Sequence, residues 1–311
     1  MKPFLLLLLV AAPSNGDQTS PQLQAPETRV DPGIAKPNLT PIFIETFPGP
    51  EGTLPSSTNW LFDLGTSYPG GAAKWGNNEF EIYTNSNSNI QITKHHTLTI
   101  TPRLKRGVWT SSRIETQRSD FAASAGGQLY IESRIKLGDA PTKSQQGIWP
   151  AFWALGSNFR PSYMDWPAVS EWDILESVNG GSVMYSTLHC GTASGGPCNE
   201  TNGLGSGVVP FSRGVWHTVG FMVDRSMTGN GGKGTWLNEA LNWYLDGTQV
   251  FTVSGKKVGD KKTWKAVAHN EHFLLLNVAV GGGWPGAPNN QTIDGPSVGM
   301  EVDYVGVWKS I

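Results

Sequence analysis

Glu171-Trp172-Asp173-Ile174-Leu175-Glu176 sets three carboxylates into one short, otherwise apolar run. Trp172, Ile174 and Leu175 would make a poor solvent face, so the run reads as a strand with a buried side. Acids placed in such a strand cost stability unless a site uses them. On a regular strand the side chains alternate, which puts 171, 173 and 175 on one face and 176 on the other. One extra residue, a β-bulge, brings Glu176 onto the face of Glu171 and Asp173, and bulges gather beside active sites. The hexapeptide therefore predicts a sheet that carries an acidic cleft. A pair of glutamates with a third acid between them suits cleavage of a bond between two sugars.

The rest of the chain is built from the same kind of segment. There are 38 glycines and 21 prolines against 15% charged residues, and no long amphipathic stretch reads as a helix. Leu129, Ile131, Ser133, Ile135 and Leu137 alternate with Tyr130, Glu132, Arg134 and Lys136. Leu98 to Thr101 is a shorter strand, Phe273 to Val280 a nearly continuous apolar one, and Val302 to Trp308 closes the chain. Trp243-Tyr244-Leu245 and Val250 to Val253 flank Asp246-Gly247, a hairpin signal. Strands at this spacing predict an all-β, two-sheet sandwich. The glycine run Gly229 to Gly234 lacks the strand-then-helix setting of a phosphate-binding loop, so it reads as a plain loop.

Lys2, the apolar run Leu5 to Val10 and the small residues up to about Gly16 read as a signal peptide, too short to span a membrane. Residues 17–40 hold Pro21, Pro26, Pro32 and Pro37 and few apolar side chains, and are expected to be a flexible arm. A single domain over 41–311 follows. The chain is expected to be secreted and extracellular, with no lipid anchor at Ile311. A net charge of −2 gives no reason to expect nucleic acid or an anionic membrane as partner. Cys190 and Cys198 are the two cysteines and are expected to pair, with free thiols or a metal site as alternatives; Cys-x7-Cys with only His189 nearby is weak for zinc. Asn38, Asn199 and Asn290 head N-glycosylation triplets. His95 and His96 read as exposed.

Thirteen tryptophans are many for 311 residues, and several lie beside Gly or Pro. Indole rings suit the apolar faces of pyranose sugars, burying area while the N–H finds a partner. Trp149 and Trp153, in Gly147-Ile-Trp-Pro-Ala-Phe-Trp153, and Trp284, in Gly281-Gly-Gly-Trp-Pro-Gly286, are the candidates for sugar contact. Trp216, Trp236, Trp243, Trp264 and Trp308 are expected to pack.

Four segments together resemble glycoside hydrolase family sixteen, laminarinase-like branch, secreted fungal members most of all. They are Glu171-x-Asp173-x-x-Glu176, Gly-x-Trp149-Pro-Ala-x-Trp153, Trp75-Gly-Asn-Asn-Glu-Phe-Glu-Ile-Tyr-Thr84 and Leu276-Asn277-Val-Ala-Val-Gly-Gly-Gly-Trp284-Pro. The likeness runs from about Ile42 to Trp308. It implies a β-jelly-roll sandwich with a concave cleft, Glu171 as nucleophile, Glu176 as acid/base and Asp173 tuning the nucleophile. It further implies that His189 assists the acids and that Asn78 and Arg134 line the cleft near the cleaved sugar. Asp303 matches a residue that holds calcium on the convex side in some relatives, so a structural calcium is an option; no cofactor is required. Trp172 departs from the small aliphatic usual after the first glutamate, which alters convex-side packing. Asp224 to Ala240 is a longer Gly-rich insertion than the pattern has, and could reshape one end of the cleft.

The function so implied is retaining, endo-acting hydrolysis of β-1,3 or mixed β-1,3/1,4-glucan by a monomer. A β-1,3-galactanase or a cell-wall transglycosylase on the same scaffold is the enzymatic alternative. A non-catalytic carbohydrate-binding protein is the other, and three close acids speak against it.

Overall fold

In the computed structural model, residues 36, 38–228 and 234–310 are described. The leader and nearly all of the arm read from the sequence lie outside them. The chain divides after Asp31, and the described residues belong to the unit that follows.

Alternating side chains sort most of the strands into two sheets that share one core; Ile82–Tyr83, Val108–Ser111 and Arg103–Lys105 form a small third sheet. The outer sheet runs, in spatial order, Thr248–Ser254, Ala240–Leu245, His217–Asp224, Gln128–Leu137, Met300–Lys309, Leu98–Ile100 and Ile90–Ile92, with Thr40–Glu45 also on Met300–Lys309. The cleft sheet runs Leu204–Gly205, Val183–His189, Glu171–Glu176, Ile148–Gly156, His272–Val280, Arg113–Thr116 and Trp60–Asp63, with Val209–Pro210 on Val183–His189. Both sheets are antiparallel in every pair. Sequence-distant strands lie side by side, as in a jelly roll, and the expected sandwich is what forms. Between the sheets, Leu129, Ile131 and Ile135 of the outer sheet meet Phe152, Ile174, Leu274 and Leu276 of the cleft sheet in one apolar core. Each fully buried aliphatic of this kind contributes roughly 1.5–3 kcal/mol.

The Asp246-Gly247 hairpin forms as the sequence predicts, with φ of 49° and 77° at its two turn residues. The sequence reading found no helix over 261–268. Lys261–Ala268 is a helix, capped by Asp260, whose carboxylate accepts from the Thr263 amide at 2.7 Å. Eight residues with a lysine-rich exposed side are too short to stand out in the periodicity. The arm also ends sooner than expected: Lys36 Nζ reaches Glu132 on the outer sheet at 2.5 Å, and Thr40 already starts a strand. The described flanks of the 224–240 insertion join two outer-sheet strands. Arg225 and Glu239 pair across them at 3.0 Å, and Glu239 accepts from Trp264 of the helix. No helix among the described residues is long and apolar enough to cross a membrane.

Candidate active site

The acidic strand carries the expected bulge. Against Ile148–Gly156, Phe152 pairs with Leu175 and Trp153 with Asp173, so Ile174 is the extra residue. Ile174 and Leu175 therefore both point into the core, and Glu171, Asp173 and Glu176 share the opposite, cleft face. A bulge interrupts the ladder, and side chains meet the carbonyls it frees. Trp243 Nε1, from the outer sheet, donates to the Asp173 carbonyl at 2.8 Å, and Ser186 Oγ to that of Ile174 at 3.0 Å. Trp172 turns inward, fully buried, with its ring 3.5 Å from that of His272 and its N–H on the Val267 carbonyl. Its packing is thus between the sheets.

The three acids are not equivalent. Burial first, then the charges of Glu176, Glu171 and Glu200, lift Asp173 well above the usual carboxylate range. Burial also raises Glu171, but the charges of His189 and Arg113 work the other way, as does a hydrogen bond from the Trp166 side chain. Glu176 is pushed up to about 7, by burial and by Glu171, against His189 and the Trp149 indole. That indole donates from Nε1 to Glu176 Oε1 at 3.0 Å.

His189 faces Glu171 across the sheet, with Nε2 3.4 Å from Asp173 Oδ2; the pair has ion-pair distance without hydrogen-bond geometry. Its Nδ1 lies 2.8 Å from Glu200 Oε2, and Glu200 Oε1 accepts the Cys190 amide at 2.7 Å. Burial alone would lower His189, but Glu200 and then Glu171 and Glu176 raise it. Cys190 and Cys198 are bonded, as expected, and so tether the loop that delivers Glu200. Among the described residues, Glu171, Asp173 and His189 also form the one set of three metal-capable side chains with ligand atoms within 4.8 Å of one another.

The aromatic expectations divide cleanly. Trp149 stands edge-on to Trp284, rings 5.6 Å apart, and Trp284 stands edge-on to Tyr185 at 5.1 Å, next to Glu176. Trp284 is 46% exposed. Its glycines are required: a Cβ on Gly281 would sit 2.2 Å from the Phe80 ring, at a φ of +74°. Trp153 donates to Asn277 Oδ1 at 2.8 Å, on the same face as Asp173. Trp243 and Trp264 fill the core and Trp308 an outer-sheet cluster, as packing residues. Trp216 and Trp236 are half-buried. Asn78 is exposed, with φ 60°, in the loop whose Asn77 carbonyl accepts from Gly283.

Arg134 is a correction. It lies on the outer sheet, on the side away from the core, 3.2 Å from Asp303 and over the Trp216 ring. It cannot line the cleft. The Asp303 carboxylate faces the Arg134 guanidinium. The cation beside the cleft is Arg113 instead. Its guanidinium is buried against the rings of Tyr68, Trp75 and Trp153 and bonds Asp63 at 2.9 Å. Arg113, Trp166, Tyr185, Asn277 and Glu200 escaped the sequence reading. The alternating Arg113-Ile114-Glu115 was the available signal for the first, and Glu200, two residues past Cys198, for the last.

An endo-1,3-beta-glucanase from Streptomyces sioyaensis superposes with a TM-score of 0.82 at 40% identity, covering 88% of this chain and 98% of that one. The chain belongs to glycoside hydrolase family sixteen, laminarinase-like branch. Two curated relatives of this family-sixteen chain are each 27% identical. They are glucan endo-1,3-beta-glucosidase A1 of Niallia circulans, over 91% of this chain, and the clotting factor G alpha subunit of Tachypleus tridentatus, over 81%. The chain spans 39% and 32% of their respective lengths. No protein-family model matches the sequence.

Proposed function

We propose that this protein is a secreted endo-glucanase that hydrolyses β-1,3 or mixed β-1,3/1,4-glucan with retention of anomeric configuration, through a catalytic domain over 41–311. The observation that carries the reading is the bulge at Ile174, which aims Glu171, Asp173 and Glu176 from one strand into one cleft. Glucanase relatives support the substrate class. The leader in the sequence and the bonded cysteines support secretion. In this reading the protein acts as a monomer.

The roles follow from electrostatics. Glu171 has cationic neighbours, Arg113 among them, and an indole donor, which favour its anion. It attacks the anomeric carbon. Glu176, held near a pKa of about 7, carries the proton that the departing sugar oxygen takes. The glycosyl–Glu171 ester forms as the glycosidic bond breaks. Glu176, now anionic, accepts a proton from the incoming water, and the second displacement restores the original configuration. Asp173, which burial and then its neighbours' charges raise well above the usual carboxylate range, stands between the two glutamates and steadies Glu171 by donating to it.

The test is an NMR time course on laminarin with the wild type and Glu171→Gln. Retention predicts the β-anomer first, and no turnover by the variant while laminari-oligosaccharides still bind. The α-anomer as first product, or near-normal hydrolysis by the variant, would sink the assignment. Binding without any turnover by the wild type would favour a recognition protein instead.

A further inference from the structure

The segment Trp75 to Thr84 holds two glutamates that the chemistry above does not use. Glu79 and Glu81 are buried, at 5% and 1% exposure. Glu79 accepts from Asn77 Nδ2 at 3.1 Å on one oxygen and from the Tyr83 hydroxyl at 3.0 Å on the other. Glu81 Oε2 accepts from the Val280 amide at 2.6 Å, and its other oxygen is buried without a donor of its own. Burial and then the neighbouring Glu79 charge push Glu81 well above the usual carboxylate range, so Glu81 keeps its proton and offers it to Glu79. Glu79, with the Asn77 and Tyr83 donors on its two oxygens, serves this path as an acceptor.

That polarity propagates. A Tyr83 hydroxyl that donates to Glu79 has only lone pairs left, and it accepts from Asn277 Nδ2 at 3.1 Å. The Asn277 amide is thereby fixed with Oδ1 towards the cleft, where it takes the Trp153 indole N–H at 2.8 Å. The same segment grips the Trp284 loop, since the Asn77 carbonyl accepts from Gly283 at 2.7 Å. Every polar atom along this path is set by the one before it.

We infer that Glu79 is a positioning residue: a buried carboxylate that, through Tyr83 and Asn277, sets the orientation of Trp153 as a sugar platform. The inference rests on the β-glucan reading of the cleft. Its test separates polarity from mere packing. Glu79→Gln presents an amide N–H2 among donors. Tyr83 then turns to donate to Asn277, the amide reverses, and its N–H2 opposes the Trp153 N–H. KM for laminarin should rise roughly three- to tenfold with kcat within about twofold, the signature of lost ground-state and transition-state binding alike. Laminarihexaose affinity by calorimetry should fall in step. Glu81→Gln, a near-isostere of the protonated acid that still donates to Glu79, should leave KM within about twofold. The decisive variant is Glu79→Gln with Tyr83→Phe. Removing the hydroxyl frees Asn277 to present Oδ1 again, so KM should return most of the way. Wild-type affinity in Glu79→Gln, or a double variant worse than the single, overturns the inference. If Glu79→Gln does not accumulate folded, Asn277→Ala carries the test: it should show the same rise in KM, and an unchanged KM overturns the chain. Failure of the wild type to bind laminarihexaose would overturn the glucan reading and this inference together, whereas wild-type binding with an unaffected Glu79→Gln removes only the latter.

Discussion

Glu176 and Glu171 differ by their neighbours, and that difference makes a pH profile. Under the proposed roles turnover needs Glu176 protonated, so activity should be present below its pKa of about 7 and lost as pH rises through that value. It also needs Glu171 ionised; that carboxyl is raised too, so activity is lost on the acid side as pH falls through it. The expected kcat/KM profile is a bell, and because the acids interact its limbs belong to the set and not to single residues. Glu176→Gln should lower the laminarin rate by about 10²–10⁴. With an aryl β-laminaribioside, whose leaving group needs no proton, the first step should be largely spared, and the alkaline limb near 7 should vanish. An alkaline limb that survives in the variant would assign it to another group, His189 being the nearest. That Glu171, Asp173 and Glu176 share one face was legible, because a single bulge in the strand brings them together. Which neighbour tunes which acid was not, since Glu200, Trp166 and Arg113 reach the site through long-range pairing.

At the scale of the element, alternation was read correctly and sheet membership was not always. Arg134 does alternate with core residues, but its strand pairs with His217–Asp224 and Met300–Lys309 and so faces away from the cleft. Period-two patterns say which residues share a face, never which sheet that face belongs to. Ile148–Gly156, which does flank the acidic strand, was better marked, because its Trp149 and Trp153 lie within the same sheet. Trp172 and Trp284 then give a matched contrast. Trp284→Ala removes a ring that is 46% exposed on the rim, so KM for glucan should rise while Tm hardly moves. Trp172→Ala empties a fully buried slot between His272 and Phe221, and should cost about 3–5 kcal/mol of stability. Thermal denaturation and glucan kinetics on both variants check this. A Trp284 variant that melts early with unchanged kinetics would make that ring a packing element.

Over the whole molecule, the sandwich was foreseeable because strand segments, turn residues and core alternation all pointed one way, and the Asp246-Gly247 hairpin set Leu245 opposite Thr248 before a bulge at Val250 shifts the register. The disulfide was foreseeable as a pair but not as part of the site. Cys190 directly follows the strand that ends in His189, and Cys198 stands two residues before Glu200, so the bridge closes the loop on which the His189–Glu200 contact depends. Two consequences separate. Closing a loop with a sequence separation of 8 residues should stabilise the fold by roughly 2.5 kcal/mol through the unfolded chain's entropy. In a domain of this size that is a Tm difference of about 5–10 °C. Cys190→Ser with Cys198→Ser should therefore melt earlier by that amount. At a temperature where the variant is still fully folded, the second consequence is read: Glu200 loses its tether, His189 loses a fixed acceptor on Nδ1, and kcat should fall with little change in KM. Substituting Glu200→Gln in the disulfide-intact protein should reproduce the fall in kcat without most of the loss in Tm. Matching kcat in both variants and the wild type would leave the bridge as a stabiliser of the fold and nothing more.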